Sequence, residues 1–246
     1  MINLHESVDS GLAVLEIFNS IEGEGLRQGL PVTFVRFIGC NLRCVYCDTK
    51  YSHTMSSTGW EYGNLGKRYT QKELTKVIKE MSLATGGRVT FTGGEPLMSE
   101  TNINFIYDFA RMNPQHDINI ETNGTINPVK LLNREVSNIT LTMDYKCASS
   151  YANGKSSDDN YFYKLRRKDC LKVVVGSNQD ICELKNVLRR CRQLDAEFSV
   201  FVHPVYGQIT LELLAEVVQQ YCDIYQNVRL GYQLHKLIWA PEERGV

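Results

Sequence analysis

Three cysteines, Cys40, Cys44 and Cys47, lie within eight residues of the chain at C-x3-C-x2-C spacing. They follow an apolar, β-branched segment, PVTFVRF at residues 31–37, so one short loop carries all three thiols. Thiolates gathered in a single loop are ligands for a structural zinc ion or for an iron–sulfur cluster. The chain has 8 cysteines and the others are scattered singly, which makes this group the first candidate for chemistry.

The cysteine spacing by itself leaves the type of metal centre open. A structural zinc ion takes four ligands, and His53 or Cys147 would have to supply the fourth, although neither has the spacing of a usual zinc finger or ribbon. An iron–sulfur cubane accepts three protein thiolates and keeps one iron open to a small ligand. Both kinds of centre therefore fit the cysteines alone.

Polar motifs end three further apolar segments of the chain. TGGEP occupies residues 92–96, ETNG occupies residues 121–124 and DYK occupies residues 144–146. Paired glycines allow a backbone to approach a ligand closely, and they also occur in ordinary tight turns. If the preceding segments are parallel strands, their carboxyl ends meet at one rim, so we expect the three motifs to lie beside the cysteines.

The elements that must position these motifs alternate between strand and helix patterns. Apolar segments typical of buried parallel strands occupy residues 31–37, 88–93, 118–122, 139–145, 171–176, 198–204 and 228–234. Helical patterns lie between them: Thr70 and Glu73 form a capping box, Asn178 is placed to cap another helix, and leucines recur with helical spacing over residues 211–218. This alternation predicts right-handed βαβ units.

The number of strands decides among the α/β architectures. Six or seven strands are too few for a full eightfold barrel, so we predict a partial (β/α) TIM-like barrel of about six parallel strands, with an open doubly wound sheet as the alternative. Residues 1–246 are expected to form a single domain, with an N-terminal segment at residues 1–30 and a cysteine loop at residues 38–69. Two polar stretches, residues 48–69 and 147–160, are expected at the carboxyl-terminal rim.

The composition is that of an ordinary globular protein. Lysine and arginine total 27 against 28 acidic residues, a formal net charge of −1, which provides none of the general basicity that favours nucleic-acid binding. The acidic start, MINLHESVDS, does not resemble a signal peptide, and no apolar run reaches the ~18 residues of a membrane span. We expect a cytoplasmic protein with no nucleic-acid or membrane partner, whose cysteines serve thiol or metal chemistry rather than disulfides.

Taken in order, these motifs resemble those of the radical S-adenosylmethionine enzymes. The cysteine motif reads RFIGCNLRCVYCDT, with an aromatic residue directly before the last cysteine, and TGGEP and ETNG follow the next two predicted strands. IFNSIEGEG at residues 17–25, CDT at residues 47–49, DYK, and QLHKLIW at residues 233–239 resemble more specifically the 7-carboxy-7-deazaguanine synthases. The resemblance covers essentially the whole chain and preserves the order of the motifs.

The resemblance implies a 4Fe-4S cluster on Cys40, Cys44 and Cys47, with S-adenosylmethionine chelated to its open iron. The residues that it implies around S-adenosylmethionine are Tyr46, Cys47, Asp48, Gly94, Glu95, Glu121, Thr122, Asn123, Asp144, Tyr145 and Lys146. Many family members have Ser-Pro-Lys in place of DYK, so only the lysine of this motif matches. Thr49 matches the family position whose hydroxyl helps to hold Mg2+.

For the substrate, the resemblance implies 6-carboxy-5,6,7,8-tetrahydropterin, which a radical lyase would convert to 7-carboxy-7-deazaguanine with loss of ammonia. The residues implied around it are Ile21, Glu22, Gly23, Glu24, Arg36, Thr92, Gln233 and His235. Arg36 would offer a bidentate fork to the substrate carboxylate. Glu22 stands where the usual family motif has glutamine. The resemblance also implies a homodimer and a one-electron donor such as flavodoxin or ferredoxin.

Two other functions fit part of the pattern. An activase that generates a glycyl radical on a partner enzyme shares the cysteine spacing, but it would not need the IEGEG and Q-x-H-K motifs. A zinc-binding regulatory module would need only the cysteines and a fourth ligand. His203, which lies near the end of a predicted strand and precedes Pro204, is open to a structural or a functional interpretation.

Overall fold

The computed structural model describes residues 11–53, 66–150, 161–239 and 245, and within them nine strands form one sheet. The strands are β1 (Leu12–Ile21), β2 (Pro31–Phe37), β3 (Lys67–Tyr69), β4 (Arg88–Gly93), β5 (Asp117–Thr122), β6 (Ile139–Lys146), β7 (Cys170–Val175), β8 (Ser199–Pro204) and β9 (Val228–Leu230). The helices are α1 (Gln71–Ser82), α2 (Glu100–Met112), α3 (Asn178–Gln193), α4 (Leu211–Tyr221) and α5 (His235–Ile238).

Seven of the strands run parallel, in the spatial order β2, β4, β5, β6, β7, β8 and β9. They coincide with the seven predicted strand segments, and the described sheet does not close on itself, which confirms the partial (β/α) barrel. At one edge β1 pairs antiparallel with β2, and β3 pairs antiparallel with β1. The sequence pattern does not predict these two edge strands.

The long helices begin at side chains that cap their first turns. Thr70 and Glu73 form the predicted capping box of α1. The cap of α3 is Ser177, whose hydroxyl accepts a hydrogen bond from the Asp180 backbone N–H, so the prediction of Asn178 as the cap is wrong by one residue. The reason is that Ser177 keeps the extended backbone of a capping residue, whereas Asn178 already lies in the first helical turn.

The central parallel strands have one apolar and one polar face. In β5, Ile118 and Ile120 are fully buried in the core that contacts the helices, while Asn119 and Glu121 alternate with them on the inner side of the barrel. Both faces are largely buried, as the apolar segments predict. The inner face, however, carries the polar side chains from which a site can be built.

The loop between β1 and β2, residues 22–30, closes the barrel at the amino ends of its strands. Arg27 of this loop lies 3.7 Å from Asp117, the first residue of β5. A Cβ on Gly25 would lie 3.2 Å from the sulfur of Cys170, the first residue of β7. We call residues 22–30 the plug, because they fill the space between these strand ends.

The plug brings predicted substrate residues to the end of the barrel opposite the cysteine loop. Glu22 and Glu24 reach the barrel interior from the opposite end, because the β1–β2 hairpin folds its loop inward. Of the two polar stretches expected at the rim, residues 54–65 and 151–160 lie outside the described residues. None of the helices that the structure describes is long and apolar enough to span a membrane.

Candidate active site

A cavity of about 520 Å³ extends between the plug and the cysteine loop. Of the predicted site residues, those that line it are Ile21, Glu22, Gly23, Glu24, Arg36, Cys40, Cys44, Tyr46, Cys47, Asp48, Thr49, Thr92, Gly94, Glu121, Thr122, Asn123, Asp144, Lys146, Gln233 and His235. Glu95 and Tyr145 do not line it. The fold thus brings nearly the whole predicted set around one space.

Backbone hydrogen bonds hold the described part of the cysteine loop against the barrel. The Gly39 N–H donates to the Ser52 carbonyl over 2.7 Å, which draws the two ends of this part together. The Val45 N–H donates to the Ser150 carbonyl over 3.2 Å, which ties the loop to the segment after β6. The three cysteines therefore lie at the rim formed by the carboxyl ends of the strands.

The sulfur positions bear on the choice between the two kinds of metal centre. Three thiolates on one tetrahedral zinc ion lie about 4 Å apart, since each Zn–S bond is ~2.3 Å long. The sulfur atoms of Cys40, Cys44 and Cys47 are not all within 4.8 Å of one another. Cys147, a candidate fourth zinc ligand, lies instead beside Asp180 at the start of α3. This spacing is compatible with a cluster of several iron ions, whereas the other candidate zinc ligand, His53, does lie beside Cys47.

The environment of the thiols favours thiolates only when a cation is bound. Burial raises the pKa of Cys47 to about 11, and burial also raises the pKa of Cys40 and of Cys44. Nε2 of His53 lies 3.1 Å from the Cys47 sulfur. Because iron ions would supply the missing positive charge, metal binding and thiol deprotonation are coupled at this loop.

The paired glycines of TGGEP pack directly against the cysteine loop. A Cβ on Gly94 would lie 2.6 Å from the Gly39 carbonyl carbon and 2.8 Å from the Cys40 Cβ. A Cβ on Gly93 would lie 2.8 Å from the Phe37 nitrogen. Both positions therefore exclude any side chain, and the pair is required for the close approach of β4 to the cysteine loop as well as for any contact with a ligand.

Replacing Gly94 by alanine is expected to prevent assembly of the cluster. The added methyl group would displace Gly39 and Cys40, an overpacking that costs about 1–3 kcal/mol and moves one of the three thiols. Iron and sulfide content after anaerobic reconstitution measures the effect. The control is Gly207→Ala, which adds backbone strain at a φ of 74° but no contact within 4 Å, so it should keep its full iron content. Full iron content in Gly94→Ala would contradict this account.

The carboxylate of Glu95 is fully buried and faces the end of β5. It accepts hydrogen bonds from the Leu97 N–H, the Thr122 hydroxyl and the Asn123 N–H. Burial raises its pKa to about 7, although these three hydrogen bonds favour the charged form. The side chain does not line the cavity, and its contact with S-adenosylmethionine stays a prediction of the resemblance. Glu95 positions Asn123, whose side-chain amide nitrogen lies 3.9 Å from the sulfur of Cys40.

The end of β6 divides its side chains between two faces of the sheet. Asp144 and Lys146 line the cavity and pair with each other. Tyr145 lies on the helix side, with its ring edge-on to Phe162 and its hydroxyl donating to Glu183 over 3.2 Å. Because side chains alternate along a strand, the prediction that Tyr145 contacts a ligand in the cavity does not hold for its side chain.

A buried network of charges crosses the cavity. Lys172 pairs with Glu24 of the plug and lies 3.0 Å from Asp144, which also pairs with Lys146. Burial alone would raise the pKa of Asp144, but Lys146 and Lys172 outweigh it and lower that pKa to about 2. Lys172 likewise lowers the pKa of Glu24 against the effect of burial. All four groups are therefore charged at neutral pH.

Lys172 is a site residue that the sequence motifs do not identify. It is the third residue of β7, within the otherwise apolar segment CLKVVV. The signal that could have found it is a lysine inside a predicted buried strand, because a buried lysine is rare and needs a paired charge.

The Arg36 guanidinium is bound to a neighbouring carboxylate through Nε, and the residue lines the cavity. Its Nε donates to the Glu16 carboxylate over 2.7 Å, and the Tyr51 hydroxyl donates to the same oxygen over 3.2 Å. Among the described residues, no hydrogen bond engages its two terminal nitrogens. The guanidinium also lies over the ring of Phe18, which stacks on Phe34. A carboxylate in the cavity could thus bind both terminal nitrogens.

The C-terminal segment, residues 231–239, covers one side of the cavity. A backbone hydrogen bond of 3.0 Å joins it to the Gly23 carbonyl, and a Cβ on Gly23 would lie 2.5 Å from Nδ1 of His235. Nζ of Lys236 lies 3.4 Å from the carboxylate of Asp48. The segment therefore connects the plug to the cysteine loop, and Gly23 is required for its packing.

Several buried polar atoms beside the cavity have no hydrogen-bond partner among the described residues. They include Oε1 of Glu24, the hydroxyl of Tyr46 and both ring nitrogens of His203. Burial lowers the pKa of His203 to about 4, so its ring is neutral at pH 7 and can donate one hydrogen bond and accept another. Because buried polar groups are unfavourable when unpaired, the atoms of Glu24 and Tyr46, which line the cavity, fit a polar ligand. His203 does not line the cavity, so its structural and functional interpretations both stand.

Comparison with known proteins places the fold. The Radical SAM superfamily matches residues 34–221. QueE from Escherichia coli has a similar structure, with a TM-score of 0.64 over 92% of this chain and 95% of that chain at 22% identity. Streptococcus suis SuiB bound to its precursor peptide SuiA matches with a TM-score of 0.56 at 15% identity, over 82% of this chain and 48% of that chain. At these identities the likeness concerns the fold alone.

Comparison of sequences gives closer relatives. The 7-carboxy-7-deazaguanine synthase of Clostridium acetobutylicum is 33% identical over 95% of this chain and 98% of its own length. The 7-carboxy-7-deazaguanine synthase of Thermoplasma acidophilum is 34% identical over 93% of this chain and 98% of its own length. Its match to the Radical SAM model over residues 34–221 and its full-length relatives show that the chain belongs to the radical SAM superfamily and, within it, to the family of 7-carboxy-7-deazaguanine synthases.

Proposed function

We propose that this protein is a radical SAM carbon–nitrogen lyase that converts 6-carboxy-5,6,7,8-tetrahydropterin to 7-carboxy-7-deazaguanine with loss of ammonia, a step of queuosine biosynthesis. The observation that carries the proposal is one cavity with three thiols at one end and paired carboxylates and cations along its wall. Its volume of about 520 Å³ suits a small molecule, since such sites measure ~300–1,000 Å³. Membership of the synthase family supports the same reaction.

The end of the cavity beside the cysteine loop fits an iron–sulfur cluster and S-adenosylmethionine. The three cysteines would hold the cluster and leave one iron for the amino acid part of S-adenosylmethionine. When bound, the two cofactors together supply a 5′-deoxyadenosyl radical. The Lys146 ammonium lines this end and suits the cofactor carboxylate, while the Tyr46 hydroxyl and the Asn123 amide offer further polar contacts.

The part of the cavity beside the plug fits the pterin. The terminal nitrogens of Arg36 would bind the substrate carboxylate. Thr49 donates to the Asp48 carboxylate over 2.8 Å, and this pair of oxygen ligands would hold a Mg2+ ion that shares the substrate carboxylate. Glu24 has an unused carboxylate oxygen, Oε1, that would accept a hydrogen bond from an N–H group of the heterocycle. The plug and the C-terminal segment would exclude water from the reacting carbon.

Replacing Arg36 by glutamine is expected to weaken binding of 6-carboxypterin, a stable analogue of the substrate. Hydrogen bonds to a charged group contribute about 1.5–3 kcal/mol, so the dissociation constant should rise about ten- to hundredfold. Pterin fluorescence in the reconstituted protein measures it. The control ligand is pterin without the carboxylate, whose affinity should hardly change. An equal loss for both ligands would show that Arg36 does not bind the carboxylate.

An anaerobic assay of the reconstituted protein tests the reaction. With the carboxytetrahydropterin, S-adenosylmethionine, Mg2+ and a reductant, we expect 7-carboxy-7-deazaguanine and ammonia as products. A protein that ignores the pterin and places a glycyl radical on a partner enzyme would replace the proposal with an activase. Bound zinc, without the absorbance near ~400 nm of sulfide-bridged iron, would favour the regulatory module.

The proposal includes an electron donor, a homodimer and a cytoplasmic location. Arg43, Val45 and Lys50 are exposed on the cysteine loop, and this cationic surface suits an acidic donor such as flavodoxin or ferredoxin. Leu237 and Ile238 are exposed on α5 and would suit contact with a second copy, which size-exclusion chromatography with light scattering tests. Eight free cysteines are compatible with a reducing compartment, which supports the cytoplasmic location that we propose.

A further inference from the structure

Glu22 differs from Glu24 and Asp144, two neighbouring carboxylates of the cavity, in lacking a paired cation. Glu24 and Asp144 each pair with Lys172. Glu22 is 1% exposed, and among the described residues it forms no ion pair within 4.0 Å. Its one side-chain hydrogen bond comes from the Thr90 hydroxyl, which donates to Oε2 over 2.7 Å. A fully buried carboxylate with so little compensation is strongly disfavoured in its charged form.

The charged groups that face Glu22 come from its own loop and from β5. Glu121 on β5 and Glu24 on the plug oppose a negative charge at this position, whereas Arg27 on the plug favours one. Arg27, however, also forms an ion pair with Asp117, at a distance of 3.7 Å. Burial and then Glu121 raise the pKa of Glu22 to about 8. The carboxyl group therefore keeps its proton at neutral pH.

Glu121, the carboxyl group opposite Glu22, has different charged neighbours. Burial and Glu24 raise the pKa of Glu121 and outweigh Lys172 and Arg36, which favour its charged form. The Thr92 hydroxyl also donates to it over 2.8 Å. Arg27 is the one cation that favours a charged Glu22, whereas two cations favour a charged Glu121, so Glu22 is the member of the pair with the weaker support for a negative charge.

We propose that Glu22 meets the substrate as a neutral carboxylic acid, whose Oε1–H donates a hydrogen bond to a carbonyl oxygen or ring nitrogen of the pterin. Oε2 accepts from Thr90, so the proton resides on the oxygen that has no partner among the described residues. A charged carboxylate would repel such an acceptor, whereas an amide would present the same donor. The inference rests on the proposed function and makes Glu22 a specificity-determining residue.

The test compares the wild type with Glu22→Gln in the binding of 6-carboxypterin at pH 6 to pH 9. The reconstituted protein is titrated without S-adenosylmethionine, and pterin fluorescence is the readout. Glutamine keeps the size and the donor but cannot ionise. Above a pKa of about 8 the neutral fraction of Glu22 falls, so the wild-type dissociation constant should rise about tenfold from pH 7 to pH 9 relative to that of the variant. Ionisation of the ligand affects both proteins and cancels in this ratio.

The outcomes separate the inference from the proposed function. A ratio that stays constant from pH 6 to pH 9 would overturn the role of Glu22 and leave the reaction intact. If the wild type binds no pterin at any pH, the proposed function fails and the inference fails with it.

Thermal unfolding adds a second readout. Because the folded-state pKa of Glu22 is raised, the wild type loses stability as pH rises towards 8, and Glu22→Gln should not. A glutamine variant that does not fold would also overturn the proposal.

Discussion

Replacing Cys44 by alanine is expected to abolish both the bound cluster and turnover. A cubane with one open iron needs three protein thiolates, and each cysteine of the triad contributes one. The same loss is expected for Cys40. Cys44 is a cleaner test than Cys47, because His53 lies 3.1 Å from the Cys47 sulfur and could replace it as a ligand. Iron and sulfide analysis, together with the absorbance near ~400 nm, measures the loss after anaerobic reconstitution.

Two other cysteines provide the matched controls for this experiment. Cys182 and Cys222 are exposed, and neither lines the cavity. Alanine at either position should leave the iron content and the turnover unchanged. A Cys44→Ala protein that keeps the full cluster would refute the ligand assignment. Loss of cluster in the Cys182→Ala control would show instead that reconstitution depends on free thiols in general.

The parallel part of the fold follows from local sequence patterns. The buried segments around Ile118 and Leu171 are short, apolar and β-branched, and such runs form interior strands largely independently of context. The same pattern does not predict β1, because a bulge between Val14 and Glu16 breaks the alternation of its side chains. The three-residue β3 contains two charged residues and is too short to show an alternation of apolar and polar side chains, so the sequence does not predict it either.

The sequence motifs bring most of the predicted site residues around one cavity, but they do not determine where each side chain points. Glu95 and Tyr145 both lie at strand ends, as predicted, but Glu95 is enclosed by its hydrogen bonds to Thr122 and Asn123, and Tyr145 packs on the helix side of the sheet. Lys172 enters the cavity from a segment that carries no motif. The inward fold of the plug depends on contacts such as Arg27 with Asp117, which join distant parts of the chain.

Replacing Lys172 by methionine is expected to lower the free energy of unfolding by about 3–5 kcal/mol, the cost of removing one partner from a buried ion pair. Methionine has similar length but no charge, so Glu24 and Asp144 lose their shared cation. Asp144 keeps Lys146, whereas Glu24 forms no second ion pair among the described residues. We therefore expect most of the lost unfolding free energy to come from the unpaired Glu24 on the plug. Urea denaturation of the reconstituted protein under anaerobic conditions measures it.

Two further variants identify the source of that loss. Lys76→Met removes an exposed lysine that lies 3.9 Å from Glu80 on α1, and it should cost less than about 1 kcal/mol. The double variant Lys172→Met with Glu24→Gln should be more stable than Lys172→Met alone, because no unpaired charge remains on the plug. If the double variant is no more stable than the single one, the loss comes from packing rather than from charge.

The pH dependence provides an independent check of the same pair. In the wild type Lys172 lowers the pKa of Glu24, so the pair stabilises the fold above the ordinary pKa of a glutamate, and that stabilisation is lost as pH falls through the lowered value. In Lys172→Met burial acts on Glu24 without an opposing cation and raises its pKa. The variant therefore regains stability as pH falls and Glu24 becomes neutral. The difference in unfolding free energy between the two proteins should narrow from pH 7 to pH 5, and a constant difference would show that Glu24 does not depend on Lys172 for its charge.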